Sequence, residues 1–295
     1  MILVTGATGT SGRELIRRLS EMQVAFKAMV RKDADRGALE AQGVAAVVAD
    51  YRDPERLSEA MTGVEQVYLI GPTDPPQVTH EGDVVETARR AGVRRVVKQS
   101  AMNAHDMSAC TFKRWNGMVE RQVMDSGLAY SIFRPTGYMH NFVNYDSARI
   151  AAEGVLRSPR REARVSWIDV RDIAAVAAAV LTEEGHDGRV YDLTGPDALA
   201  DQDIAAKLSE VLGREIRYEP LSDADWFSLM RSRGLPASTI RSMLSLHLAY
   251  RAESPGLVTG WVEVLSGQAP RTFDAFAREY AERFTGPAAE GKKSL

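Results

Sequence analysis

The chain places three glycines at a spacing of three directly after its first apolar run, at Gly6, Gly9 and Gly12. In a strand–turn–helix setting, the first such glycine permits a tight turn, the second lets the backbone approach a pyrophosphate, and the third allows close helix packing. Free N–H groups and the helix dipole favour negative charge at the helix start. Three side chains in the loop add hydroxyl donors: Thr8, Thr10 and Ser11. The pattern predicts a dinucleotide-binding loop; the alternative is a tight structural turn without a ligand.

The kind of dinucleotide is decided about 20 residues further on, where an acidic residue would bind a ribose 2′-hydroxyl. Here Arg31 and Lys32 follow the second apolar run. Because a guanidinium can bind a 2′-phosphate and stack on adenine, this pair favours NADP(H) over NAD(H). The alternative is a solvent-facing basic turn. Residues after the third and fourth apolar runs are also predicted at the cofactor, although Tyr51 could be an ordinary edge aromatic: Asp50, Tyr51, Ile70 and Gly71.

Short β-branched runs alternate with longer amphipathic stretches through the first half of the chain. Strands are predicted at 1–5, 24–30, 44–49, 66–70, 94–99 and 129–133, and helices at 10–22, 33–42, 54–62, 77–91 and 112–126. This alternation predicts right-handed crossovers and a parallel sheet covered on both faces. The predicted fold class is α/β, a Rossmann doubly wound parallel sheet with a smaller, mainly helical C-terminal lobe.

The alternation stops after Pro135, and this change sets the predicted division of the chain. Residues 1–135 are expected to form the nucleotide-binding domain, with 165–182 returning to it. Residues 136–285 are expected to form a mixed substrate-binding lobe, and the small, polar residues 286–295 a disordered tail.

Composition excludes several other classes of protein. The 295 residues have a net charge of −3, so no basic field would attract nucleic-acid phosphates. The single cysteine, Cys110, permits neither an internal disulfide nor a cysteine zinc cluster, and the histidines lack metal-type spacing, so no metal site is predicted. No apolar run reaches membrane-spanning length, and the first strand begins at residue 1 without a leader. A cytoplasmic protein is expected.

Longer segments of the chain resemble a known family. "VTGATGTSG", "VVETARRAGVRRVVKQS" and "MVERQVMDSGLAYSIFRPTGYMHNF" are similar to atypical short-chain dehydrogenases of the NmrA-like group. The likeness is close over residues 1–145 and looser through "VLTEEGHDGRVYDLTGP". The group includes NADPH-dependent quinone and triphenylmethane reductases as well as cofactor-sensing transcriptional regulators. The resemblance therefore implies an NAD(P)-binding Rossmann fold.

The chain departs from the superfamily at its catalytic pair, a Tyr-x-x-x-Lys on the helix before "SGLAYSIFRP". Counting back places Phe112 at the tyrosine position and Asn116 at the lysine position, while the accompanying serine is present as Ser100. Phe112 cannot donate a proton, but Asn116 could still bind a nicotinamide ribose hydroxyl. By this resemblance the nicotinamide is flanked by Ser100, Asn116, Pro135, Thr136 and Gly137.

The missing pair restricts the substrate that could be reduced. Reduction of a simple ketone develops an alkoxide that needs a strong proton donor, whereas a quinone develops a phenolate-like oxygen with a pKa near the ~10 of tyrosine. Conjugated, electron-poor acceptors remain open. Tyr138, just beyond the predicted nicotinamide segment, is a candidate proton donor together with Ser100; the alternative is a packing tyrosine.

Apolar side chains near this segment could form the walls of a flat substrate pocket. The candidates are Met102, Trp115, Tyr138, Met139, Phe142 and Trp167, with Trp226 further along the chain. Aromatic and methionine side chains suit a quinone, but the same cluster could be ordinary core between the lobes.

Two functions from different classes fit these observations. The favoured one is an NADPH-dependent reductase that transfers hydride to a small quinone-like or otherwise conjugated acceptor. The alternative is a non-catalytic NADP(H)-binding redox sensor that acts through a protein partner. Helix 112–126 could also bury Met118, Val119 and Val123 in a homodimer as readily as in the sheet.

Overall fold

A computed structural model describes residues 1–253 and 256–286. Nine strands are present in these ranges: β1 Ile2–Val4, β2 Phe26–Val30, β3 Ala46–Val48, β4 Gln66–Leu69, β5 Arg95–Gln99, β6 Ala129–Pro135, β7 Val155–Ser158, β8 Arg189–Leu193 and β9 Arg217–Pro220. Apart from Gly286, the predicted tail lies outside the described residues.

Helices follow most of the strands. They are α1 Thr10–Glu21, α2 Asp33–Glu40, α3 Pro54–Ala60, α4 Gln77–Arg90, α5 Thr111–Asp125, α6 Ser147–Glu153, α7 Val170–Thr182, α8 Asp201–Leu212, α9 Asp223–Ser232, α10 Ala237–Glu253, α11 Trp261–Ser266, α12 Phe273–Glu279 and α13 Ala281–Thr285. A π-helical turn, Phe142–Asp146, precedes α6. None of the described helices is long and apolar enough to cross a membrane.

Seven of the strands form one parallel sheet in the order β3-β2-β1-β4-β5-β6-β8. The winding reverses between β1 and β4, and ligands of doubly wound sheets bind at the carboxyl ends of strands beside such a point. The predicted α/β doubly wound fold is confirmed. The first six predicted strands and five predicted helices agree with the structure to within a few residues.

Alternating side chains of the buried strands supply two separate cores. Ile2 and Val4 face α1 and α7, whereas Leu3 faces the core shared with α3, α4 and α5. Strands that are covered on both faces need apolar residues at consecutive positions, which explains the unbroken runs in the sequence. On α5, Val119 and Val123 lie in the second core and Met118 is exposed.

The second half of the chain contributes both to this sheet and to a smaller lobe. Within 165–182, α7 packs against α1, and β8 is the edge strand of the sheet although it lies in the segment 136–285. A two-stranded parallel sheet of β7 and β9 joins α6, α8, α12 and α13 around the lobe core. Helices α9 and α10 form a hairpin with its own small core, and α10 contacts α5.

Candidate functional site

The glycine loop occupies the point where the sheet reverses direction. Gly6 has a left-handed φ of 59°, and a Cβ there would lie 2.8 Å from the carbonyl oxygen of Ile70. A Cβ on Gly12 would overlap the carbonyl oxygen of Gly6. Side chains are therefore sterically excluded at both positions. The glycine loop therefore lies directly against the residue that follows β4, and the first turn of α1 lies directly against the loop.

The start of α1 is open to an anion. Gly9 is the N-cap residue, no side chain caps the helix, and its first turn has no acidic residue. Thr8 and Thr10 are exposed, so both hydroxyls are accessible to a ligand. Ser11 differs from the prediction, because its buried hydroxyl donates to Gln99 Oε1 at 2.8 Å. That hydroxyl therefore points into the sheet and is not presented to solvent.

Two exposed cations stand at the end of β2. Arg31 and Lys32 form no ion pair in the part of the chain that the structure describes, whereas the nearby Asp33 pairs with Arg36 at 2.8 Å. Asp50 is held by Arg52 through two hydrogen bonds of 2.8 and 2.9 Å, which keep the pKa of that carboxyl well below its usual range. The free positive charge at this edge therefore remains on Arg31 and Lys32.

Tyr51 supports the chain beneath the loop after β4. Its side chain is buried, its hydroxyl donates to the carbonyl oxygen of Ile70 at 3.0 Å, and its ring stacks on His80 at 5.7 Å. Burial raises the pKa of this phenol. Because the side chain is buried within the second core, we propose that Tyr51 is a core aromatic, the alternative that the sequence left open, and does not contact adenine.

The residues at the superfamily's catalytic positions are engaged in closed interactions. Ser100 is buried and donates to Glu120, which also forms an ion pair with Arg134. Asn116 donates from Nδ2 to the carbonyl oxygen of Phe112 at 3.0 Å, and its Oδ1 lies 3.4 Å from Gln77 Nε2. The Ser100 hydroxyl hydrogen is therefore already in use, and Asn116 has one of its two amide hydrogens bound to the backbone.

A fully buried ion pair lies beside them and was not anticipated from the sequence. Lys98 Nζ is 2.6 Å from Glu81 Oε2, and both side chains are at most 1% exposed. Glu81 Oε1 accepts from Gln77 Nε2 at 3.0 Å, and a Cβ on Gly71 would overlap that carboxylate. Gly71 is thus a glycine because Glu81 fills the space. The signal was a lysine directly after the two valines of the predicted strand "RRVVKQ", at a position expected to be buried in the sheet.

Tyr138 lies on the other face of the sheet, at the end of β6. It is half-buried, and burial raises the pKa of its phenol to about 12, so the hydroxyl is protonated at neutral pH. Its oxygen accepts a hydrogen bond of 2.8 Å from Gln99 Nε2, a residue that was not among the predicted ones. Tyr138 is therefore the candidate side chain that keeps a proton available.

The segment that was expected beside the nicotinamide is tightly packed. Pro135 ends β6, and the Thr136 hydroxyl donates to the carbonyl oxygen of Ser166. A Cβ on Gly137 would overlap the Trp167 ring and lie 2.9 Å from the Tyr250 hydroxyl. Glycine is therefore required where the lobe meets the sheet.

The predicted pocket walls separate into two groups. Trp115 and Tyr138 are half-buried. Met102 is buried just beyond β5, where its backbone N–H donates to the carbonyl oxygen of Pro135 in the predicted nicotinamide segment. In contrast, Met139, Phe142 and Trp167 are each at most 2% exposed, within the core of the smaller lobe. Trp226 lies in the separate α9–α10 core. For the second group the surface open to a substrate is negligible in this structure.

Known proteins share both the sequence and the fold of this chain. The model of the NmrA-like family matches residues 1–253, the sheet and most of the smaller lobe. The chain belongs to the NmrA-like family. The resemblance drawn from the sequence motifs is thereby confirmed. In this NmrA-like chain, no group of three or more histidine, cysteine or acidic side chains that could bind a metal occurs within 1–253 and 256–286.

The relatives of this NmrA-like chain include reductases over its whole length. It is 37% identical over 284 residues to an NAD(P)H azoreductase of Xenophilus azovorans, covering 96% of this chain and 99% of the relative. Among solved structures, the NADPH complex of the NADPH-dependent quinone oxidoreductase QOR2 from Escherichia coli has a TM-score of 0.86 at 30% identity, covering 95% of this chain and 99% of that one. A Citrobacter sp. triphenylmethane reductase has a TM-score of 0.84 at 25% identity, covering 96% and 99%.

Proposed function

We propose that the protein is an NADPH-dependent reductase that transfers hydride to a quinone-like or other conjugated, electron-poor acceptor. The observation that carries this proposal is the state of the proton donors. Phe112 and Asn116 replace the usual pair, Ser100 is bound to Glu120, and Tyr138 alone among the candidates offers a free, weakly acidic hydroxyl. So weak an acid can assist only an acceptor whose product oxygen needs little protonation, such as the phenolate-like oxygen of a reduced quinone, with a pKa near ~10.

The groove fits NADPH by its shape and charge. Gly6 and Gly12 leave room for a backbone–pyrophosphate contact that a side chain would block. Arg31 and Lys32 would bind the 2′-phosphate, since neither has a carboxylate partner in the described ranges. Bound NADPH would supply the hydride, and the protein would supply position and charge. Tyr138 would give a proton to the reduced acceptor.

The relatives agree with this choice of acceptor. Their names include an azoreductase, a quinone oxidoreductase and a triphenylmethane reductase, and these three substrates share a conjugated, electron-poor centre. A reduced quinone has a phenolate-like oxygen and a reduced cationic triphenylmethane dye is neutral, so neither of these two products requires a strong proton donor. A simple alcohol dehydrogenase would need the Tyr/Lys pair that this chain lacks.

A redox sensor is the second candidate, and one observation favours it. Met139, Phe142 and Trp167 are buried, so the walls that would contact a substrate are closed in this structure. A sensor requires the same nucleotide groove but no substrate pocket.

The test is to follow NADPH absorbance with purified protein and a panel containing a benzoquinone, an enone and a simple ketone, with NADH as control. We expect oxidation with the quinone or the enone and none with the ketone. Tight NADPH binding without oxidation by any acceptor would overturn the reductase and support the sensor.

A further inference from the structure

Gln99 joins four elements of the fold through one side chain. Its Oε1 accepts hydrogen bonds from Ser11 Oγ at 2.8 Å and from Tyr68 OH at 2.6 Å. Its Nε2 donates to the Tyr138 oxygen at 2.8 Å. Gln99 itself is 6% exposed, at the carboxyl end of β5. The amide thus lies between the glycine loop and the tyrosine at the predicted nicotinamide end.

The two hydroxyl donors fix the orientation of the amide. A carbonyl oxygen has two lone pairs, and Ser11 and Tyr68 fill both. Tyr68 is fully buried, and its hydroxyl has no other partner among the described residues, so loss of this bond would leave a buried polar group unsatisfied. The NH2 group is therefore turned towards Tyr138. Because the Tyr138 oxygen accepts this bond, its own hydrogen stays free for another acceptor.

We infer that Gln99 is a positioning residue for the proposed proton donor: it holds the Tyr138 hydroxyl with the proton free and ties it, through Ser11, to the cofactor loop. The inference rests on the proposed function. It gives Ser11 a role different from phosphate binding. It also explains why β5 has a buried amide on the face that it shares with the core residue Val97.

The proton step balances with NADPH as the reductant. A quinone that receives a hydride gains two electrons and becomes the hydroquinone monoanion. The O–H bond of Tyr138 then breaks as its proton passes to that oxygen, and the tyrosinate recovers a proton from water. A cationic triphenylmethane dye differs, because hydride addition at its central carbon gives a neutral product and no proton is needed. The two acceptors therefore separate proton donation from hydride transfer.

The experiment compares Gln99→Leu, Tyr138→Phe and the double variant by steady-state turnover of a benzoquinone with NADPH. Each single variant should lower kcat by about 10-fold or more, at the lower end of general-acid effects because the product oxygen is only weakly basic. The double variant should lose no more than Tyr138→Phe alone, since both changes remove one function. KM for NADPH should stay within about 2-fold, and turnover of a cationic triphenylmethane dye should be unchanged.

Gln99→Glu tests the orientation and protects against a folding defect. A carboxylate keeps the acceptor for Ser11 and Tyr68 but cannot donate to Tyr138, so the same selective loss of quinone turnover is expected. Gln66→Leu is the matched control, because Gln66 begins the neighbouring strand β4 and its one side-chain hydrogen bond among the described residues goes to the carbonyl oxygen of Leu181, at the far end of the sheet. Its turnover should equal that of the wild type.

Three outcomes would overturn the inference. Full quinone turnover in Gln99→Glu would mean that no N–H donor at residue 99 is needed to hold Tyr138 for proton donation. If the kcat losses of the two single variants multiply in the double variant, Gln99 does not act through Tyr138. If Gln99→Leu lowers turnover of the quinone and of the dye equally, its role is in packing. Either result would overturn the inference. Tight NADPH binding by a wild type that oxidises it with no acceptor would remove the proposed function first, and the role of Gln99 with it.

Discussion

Among the described residues, polar groups are paired in the interior beneath the sheet but unpaired in the groove at its carboxyl edge, which is formed by the glycine loop and the end of β2. Beneath the sheet, buried Lys98 is paired with buried Glu81, and buried Glu120 is paired with the partly exposed Arg134. At the groove, Arg31, Lys32 and the start of α1 have no partner in the described residues. Pairing serves the fold, because a buried unpaired charge is costly. Unpaired polar groups that remain exposed mark where a ligand would complete the structure.

Among the variants proposed here, Lys98→Met is expected to have the largest effect, on the buried ion pair and therefore on stability. Removing the cation leaves Glu81 as a buried, uncompensated charge, so the free energy of unfolding should fall by about 3–5 kcal/mol. Urea denaturation followed by circular dichroism measures this change. The double variant Lys98→Met/Glu81→Leu should recover most of the loss, and Arg17→Ala, which breaks an exposed pair with Glu14, should cost only about 0–1 kcal/mol. A loss in the double variant as large as in the single one would contradict the ion-pair explanation.

Arg31→Glu acts on the groove side of the comparison. Loss of hydrogen bonds to a charged phosphate is worth about 1.5–3 kcal/mol, so the NADPH Kd should rise roughly 10- to 100-fold. NADH binding and the unfolding free energy should stay nearly unchanged, because the side chain is exposed and has no ion pair within the described residues. Titration of nucleotide fluorescence provides both Kd values. Arg36→Glu is the matched control, and an equal loss of both nucleotides in Arg31→Glu would rule out 2′-phosphate recognition.

Tyr51→Phe sharpens the boundary between the two regions. The hydroxyl is bonded to the carbonyl oxygen of Ile70, so its removal should cost about 1 kcal/mol of unfolding free energy. The NADPH Kd should change by less than about 2-fold, since the ring is buried and does not form the groove surface. Denaturation and nucleotide titration of the same preparation test both expectations. A large change in the NADPH Kd with no change in the unfolding free energy would indicate that Tyr51 contacts the adenine after all.

The smallest effect is expected from pH. Burial raises the pKa of Tyr138 to about 12, so this donor stays protonated below that value. Quinone turnover should therefore be level from about pH 6 to about pH 9 and fall only as the pH approaches the raised pKa. A rate profile in buffers of constant ionic strength tests this. A break near the ~6.5 of histidine would identify a different proton donor.

Much of the fold was predictable because its signals are local. The runs around β1 to β6 and the amphipathic stretches between them gave the order and type of each element, since doubly covered strands must be apolar and their crossovers amphipathic. The position of β8 was not predicted, because "RVYDLTG" shows no feature that distinguishes an edge strand of the large sheet from one in the lobe.

The site divides in the same way. Gly6 and Gly12 could be recognised because spacing along the chain determines their positions in one turn. The role of Gln99 could not, because its partners lie far away in sequence. Gln99 contacts Ser11 across 88 positions, and no periodicity relates such residues.

By itself the sequence determined the family, the Rossmann sheet and the position of the glycine loop, since each depends on residues close together in the chain. Only the tertiary structure decided which polar groups are free. In the folded chain the Ser100 hydroxyl is bonded to Glu120, and Tyr51 is bonded to Ile70 and stacked on His80. The Tyr138 oxygen accepts a hydrogen bond from Gln99, which leaves its own proton available. The physical reason is that a hydroxyl or a charge acts according to its partner, and partners are brought together by packing across the fold.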